Sequence, residues 1–173
     1  MFSLSQAALP AFEIALDALS RILDKAEAHA AAKKIDPSVL LNWRLAPDML
    51  PLTNQIQIVT DQIKNGSSRL ANVTPPPFPD DETTIAQLKA RLDKTKAHLK
   101  TLDRDAIDAS IEREIVFPLG PTRKGHMKGA DYLTLFVLPN FYFHLTTAYD
   151  ILRACGVELG KPDFVGKIPL TTS

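Results

Sequence analysis

Pro139-Asn140-Phe141-Tyr142-Phe143-His144 opens an apolar run that closes at Leu152-Arg153-Ala154-Cys155-Gly156. Asn140 and His144 are four residues apart, so on a helix they stack on one face, a turn apart. Val137, Phe141, Ala148, Ile151, Leu152 and Cys155 recur on the same side. The spacing therefore predicts an inward-facing helix over about residues 130–155 that carries an amide and an imidazole toward a core. Pro139 is expected to break it into a short lead, Ala130 to Val137, and a longer main segment, because proline removes a backbone donor and disfavours helix at the residue before it. Gly156 is placed to stop it.

Such a helix needs partners, and the preceding sequence supplies three. Phe12, Ala15, Leu16, Leu19, Leu23 and Ala26 recur at three- and four-residue steps, with Glu13, Asp17, Arg21 and Lys25 opposite, giving helix one over about 4–32. Pro10 either marks a new first turn or kinks it. Pro37 and Pro47 frame a connection with a short helical turn around Val39 to Trp43. Asp48 can cap helix two, about 49–71, and Pro51 is tolerated in its first turn. Its stripe reads Leu52, Gln55, Ile56, Val59, Ile63, Gly66, Leu70. Gln55 is a neutral amide on the face that should look inward, unless a small rotation of the helix turns it to solvent.

Thr74-Pro75-Pro76-Pro77-Phe78-Pro79 cannot be helical and reads as a stiff extended linker. Asp80 or Asp81 is expected to begin helix three, whose stripe is Ile85, Leu88, Leu92, Thr95, Leu99, Leu102. The β-branched run Ile115-Val116-Phe117, then Pro118-Leu119-Gly120-Pro121 and Arg123 to Lys128, predicts two short extended pieces around a turn. The tail, with Gly160, Pro162, Gly166 and Pro169, reads as irregular. Four long helices predict an all-α, antiparallel four-helix bundle with a short hairpin before the last helix, built as one domain over 1–173. In that architecture, sites form from side chains on facing helices, so Asn140 and His144 should meet Gln55.

Composition narrows the functions. Twenty basic residues balance twenty acidic ones, which removes any global electrostatic case for nucleic acid or an anionic membrane as partner. A net charge of zero weakens colloidal repulsion, so self-association as a homodimer is expected. The single cysteine, Cys155, excludes an internal disulfide and fits a reducing, cytoplasmic setting. Cys155 itself reads as a helix-end packing residue, since no nearby base or positive field would activate its thiol. His29 and His98 flank their stripes and read as surface residues. His126, with Arg123, Lys124 and Lys128, makes a basic hairpin that is either a solvated loop or a hold for an anionic substrate. Glycine-rich phosphate loops, paired cysteines, nucleophile elbows and zinc-protease motifs are all absent from the sequence.

The order of helices, hairpin and final helix, with the segments Arg44-Leu45-Ala46-Pro47-Asp48-Met49 and Leu138 to His144, resembles the DinB/YfiT-like superfamily of four-helix bundles. It is most similar to a branch known as a domain of unknown function, and the resemblance covers nearly the whole chain. It implies a divalent-metal site made from one histidine of helix two and a histidine pair four apart in the last helix, and in some members a thiol-dependent transferase or isomerase. The pair falls on Asn140 and His144, and the helix-two position on Gln55. Only His144 keeps the ligand type. Carboxamides are weak donors to zinc or nickel, so the resemblance implies a degraded metal site.

His144 then admits three readings: a satisfied core histidine, part of a small-molecule pocket, or a metal ligand. Asn140 could instead serve the local backbone beside Pro139. The preferred function is binding of an unidentified small molecule by Gln55, Asn140 and His144, with no cofactor. The alternative is a transferase or isomerase using His144 as base or as a ligand to Zn2+ or Ni2+.

Overall fold

Ser3 starts the first helix by accepting the Gln6 amide N–H on its hydroxyl while the Gln6 side chain accepts the Ser3 N–H, a reciprocal cap of about 1 kcal/mol. The computed structural model describes residues 3–171, so the two residues at each end of the domain expected over 1–173 lie outside the described residues. Helix α1 runs Leu4–Lys33, unbroken by Pro10. After α2 (Pro37–Leu41) and an irregular loop comes α3 (Leu52–Leu70). Then follow α4 (Ile85–Leu99), α5 (Arg104–Asp108), and the antiparallel strands β1 (Glu114–Leu119) and β2 (Arg123–Lys128). The chain is mostly helical, with this one small hairpin among the described residues.

Pro139 does not break the last helix. Helix α6 (Gly129–Asp131), a π-helical segment (Tyr132–Val137) and α7 (Leu138–Ala154) follow one another without interruption. Leu138 donates its N–H to the Leu133 carbonyl, five residues back. The wider π turn precedes the proline, whose missing N–H and bulky ring would cost a regular α-helical turn a hydrogen bond and crowd its carbonyl. A short helix α8 (Lys161–Val165) in the tail completes the order.

Cross-helix contacts fix the directions. Asp24 meets Lys89 and Asp17 meets Lys96, so α1 and α4 run antiparallel. Gln55 meets His144 and Arg69 meets Tyr132, so α3 is antiparallel to the last helix. Arg91 meets Thr60 and His98 meets Ser68, so α3 and α4 are parallel. The expected all-antiparallel arrangement is therefore corrected to a mixed one. Residues 72–84 make it possible by returning along α3: Lys64 lies 4.4 Å from the Phe78 ring, and Gln57 Nε2 donates to Glu82 at 2.9 Å.

The core is built by the helical stripes. Phe12 and Phe141 are fully buried and meet edge to face at 5.0 Å, a packing preferred by aromatic quadrupoles. The inward face of α7 is Phe141, Leu145, Ala148, Ile151 and Leu152, with Thr147. Asn140, His144 and Cys155 are half-buried at its margin rather than central to it. Gly66 lets α3 approach the π segment closely, since a Cβ there would sit 2.8 Å from Val137 Cγ1. Phe117 brings the hairpin onto the same segment, 4.8 Å from Tyr132 and 4.5 Å from Phe136.

Two expected caps are also corrected. Thr84, not Asp80 or Asp81, caps α4 through a reciprocal bond with Gln87. Pro51, not Asp48, occupies the start of α3 and offers no side-chain bond. The reason in the first case is that Asp80 and Glu82 bind Arg91 instead.

Candidate functional site

Gln55 stands in the first turn of α3, fully buried. A buried amide must be hydrogen-bonded at both ends or cost stability, and this one is. Its Nε2 donates to the Leu50 carbonyl at 2.9 Å, and its Oε1 lies 2.7 Å from His144 Nδ1. The first bond fixes which way the amide points. Oε1 can only accept, so His144 Nδ1 carries the proton, and in the neutral ring Nε2 holds a lone pair. Burial pushes the His144 pKa below its ordinary 6.5, so the neutral ring prevails at neutral pH. Among the described residues Nε2 makes no hydrogen bond.

The structure brings together two of the three predicted residues. Asn140 Nδ2 donates to the Phe136 carbonyl at 2.7 Å, so its amide serves the backbone one turn back. The expected triplet is a pair. The exposed Phe143 flanks it, its ring meeting the His144 ring edge to face at 5.1 Å. Surface grooves of about 840, 440 and 380 Å³ are lined by other residues.

The donor set does not fit the metal centre implied by the resemblance. Gln55 Oε1 is engaged by His144 Nδ1 and the Asn140 amide by Phe136, which leaves one imidazole nitrogen where a tetrahedral ion needs three or four ligands. Among the described residues no group of three or more His, Cys, Asp and Glu side chains is placed to hold an ion. Cys155 is half-buried and burial pushes its thiol pKa up, as for a packing residue.

Other polar residues were misjudged or missed. His98 is not a plain surface residue: its Nε2 lies 2.7 Å from the buried Ser68 hydroxyl, and burial, with Lys64 nearby, lowers its pKa. His29 is half-buried beside a groove. His126 is exposed, 3.5 Å from Glu114. Arg91 is buried at the centre of a polar cluster, bonded to Thr60, Asp61, Asp80, Glu82 and the Pro79 carbonyl. The signal for it was present, since Arg91 falls three residues after Leu88 on the apolar face of α4.

A family model described as a domain of unknown function (DUF1993) matches residues 4–165. The chain is also similar to a crystal structure of a DinB family member protein from Shewanella denitrificans, with 38% identity, a TM-score of 0.88, and coverage of 96% of this chain and 93% of that one. No curated protein matches. Among the described residues no helix is long and apolar enough to cross a membrane.

Proposed function

Since the chain belongs to the DUF1993 family and is built like a DinB family member, we propose that it is a four-helix-bundle protein that binds a small molecule at His144. One observation supports this above others: the Gln55 amide, itself anchored on the Leu50 carbonyl, orients the His144 ring so that Nε2 keeps a lone pair, with the exposed Phe143 ring against the same imidazole. A group that donates one N–H, O–H or S–H bond and carries an apolar portion suits such a surface. In this reading the metal site of the wider superfamily is degraded, and its remaining imidazole is retained as a hydrogen-bond acceptor.

A ligand that binds only the folded chain raises its apparent stability. A thermal-shift screen of the full chain against small amphipathic alcohols, amines and thiols should give hits that His144→Ala abolishes and His29→Ala retains. Hits indifferent to His144→Ala would refute the reading. The same lone pair favours a second reading, in which His144 is the general base of a thiol-dependent transferase or isomerase. Consumption of a thiol co-substrate, lost in His144→Ala, would select it. Self-association as a homodimer belongs to the same proposal and is measured by sedimentation.

A further inference from the structure

At the far end of α3 from Gln55, fourteen residues or about 21 Å along the helix, two arginines share a groove of about 440 Å³. Arg113 Nη2 donates to the Arg69 and Leu70 carbonyls at 2.9 and 2.7 Å, closing the C-terminal end of α3. Arg69 Nη1 donates to the buried Tyr132 hydroxyl at 3.0 Å. Both side chains are half-buried, and among the described residues neither makes an ion pair with a carboxylate. Each guanidinium has five N–H donors. These three bonds use one donor group on each, so both forks keep donors for another acceptor.

We propose that this groove is an anion site for a small, compact oxyanion of the phosphate or phosphate-monoester class. The C-terminal carbonyls of α3 stabilise Arg113 without neutralising it, and the planar guanidinium forks of the two arginines match phosphate oxygens in pairs. Both arginines are also pinned by carbonyl and phenol, so little side-chain freedom is lost on binding. Asn72 and Thr74 line the same groove and can add neutral donors. Glu114 lines it too, and its exposed carboxylate, 3.5 Å from His126 Nδ1, opposes an anion. The site is independent of His144.

The test is titration of the full chain with inorganic phosphate, followed by calorimetry and by ¹⁵N resonances of the arginine side chains. Saturable one-to-one binding is expected, weakened about tenfold or more in Arg69→Gln and strengthened in Glu114→Gln. Lys124→Gln, on the exposed hairpin, should leave it unchanged. Arg69→Gln must keep the unfolding midpoint near that of the parent, and if it does not, Glu114→Gln decides alone. Absence of saturation at tens of millimolar phosphate, equal binding in Arg69→Gln with the fold intact, or no strengthening in Glu114→Gln would overturn the proposal.

Discussion

At the residue scale the decisive pairing is Gln55 with His144. Its physics is short-range: an amide with no room to rotate dictates the tautomer of the ring it touches. A double-mutant cycle of Gln55→Leu with His144→Phe should show coupling of about 1 kcal/mol in urea unfolding, as for one net hydrogen bond. Strictly additive losses would mean that the two side chains do not interact. Both residues were legible in the sequence because each breaks an apolar stripe at the position where a buried polar group needs a partner. Asn140 carried the same signal, which left open whether it joins the triplet or serves the backbone beside Pro139, and it does the second. Periodicity cannot say whether a short amide will reach across to another helix or back to its own, and here it bonds back to the Phe136 carbonyl.

At the scale of elements, long amphipathic helices and the hairpin were readable, whereas α5 and α8 were not, each being five residues long with too few turns to show a period. The proline rule misled at Pro139 because a π turn absorbed the ring without ending the helix. The linker contained more than was read from it. Thirteen residues from 72 to 84, at about 3.1 Å each in the polyproline conformation, reach about 40 Å, more than the roughly 28 Å of the nineteen-residue α3. That length lets the chain return and start α4 parallel to α3. Arg91 fastens the returning segment through Pro79, Asp80 and Glu82. Burial of Glu82 would raise its pKa, but hydrogen bonds from Gln57 and Arg91 outweigh this and hold it low. Arg91→Ala should therefore cost about 3–5 kcal/mol, the range for breaking a buried ion pair, and expose residues 74–84 to limited proteolysis. A loss under 1 kcal/mol with the linker still protected would contradict the fastening role.

At the scale of the whole molecule, the pH dependence of stability near neutrality falls to the groups whose pKa folding shifts in that range. His144 and His98 both have folded pKa values below the ordinary 6.5, in each case chiefly from burial. Below 6.5 the unfolded chain binds more protons than the folded one, so stability is complete above that pH and falls as pH drops toward the lowered folded values. Urea midpoints should decline from pH 6.5 downward, ahead of the carboxylates, and the decline should shrink in His98→Gln. A flat profile from pH 7 to 5 would contradict the burial of both rings. Mixed helix directions, the linker strap and the His144 margin all follow from one packing arrangement, in which α3 sets Gln55 against the last helix. The most direct measurement of that arrangement is a long-range ¹H–¹⁵N spectrum of the histidine rings at pH 7.5. The account predicts that His144 is neutral, with Nδ1 protonated and coupled to a slowly exchanging proton, and Nε2 bare. A ring protonated at Nε2, or one averaging rapidly between both tautomers, would contradict it.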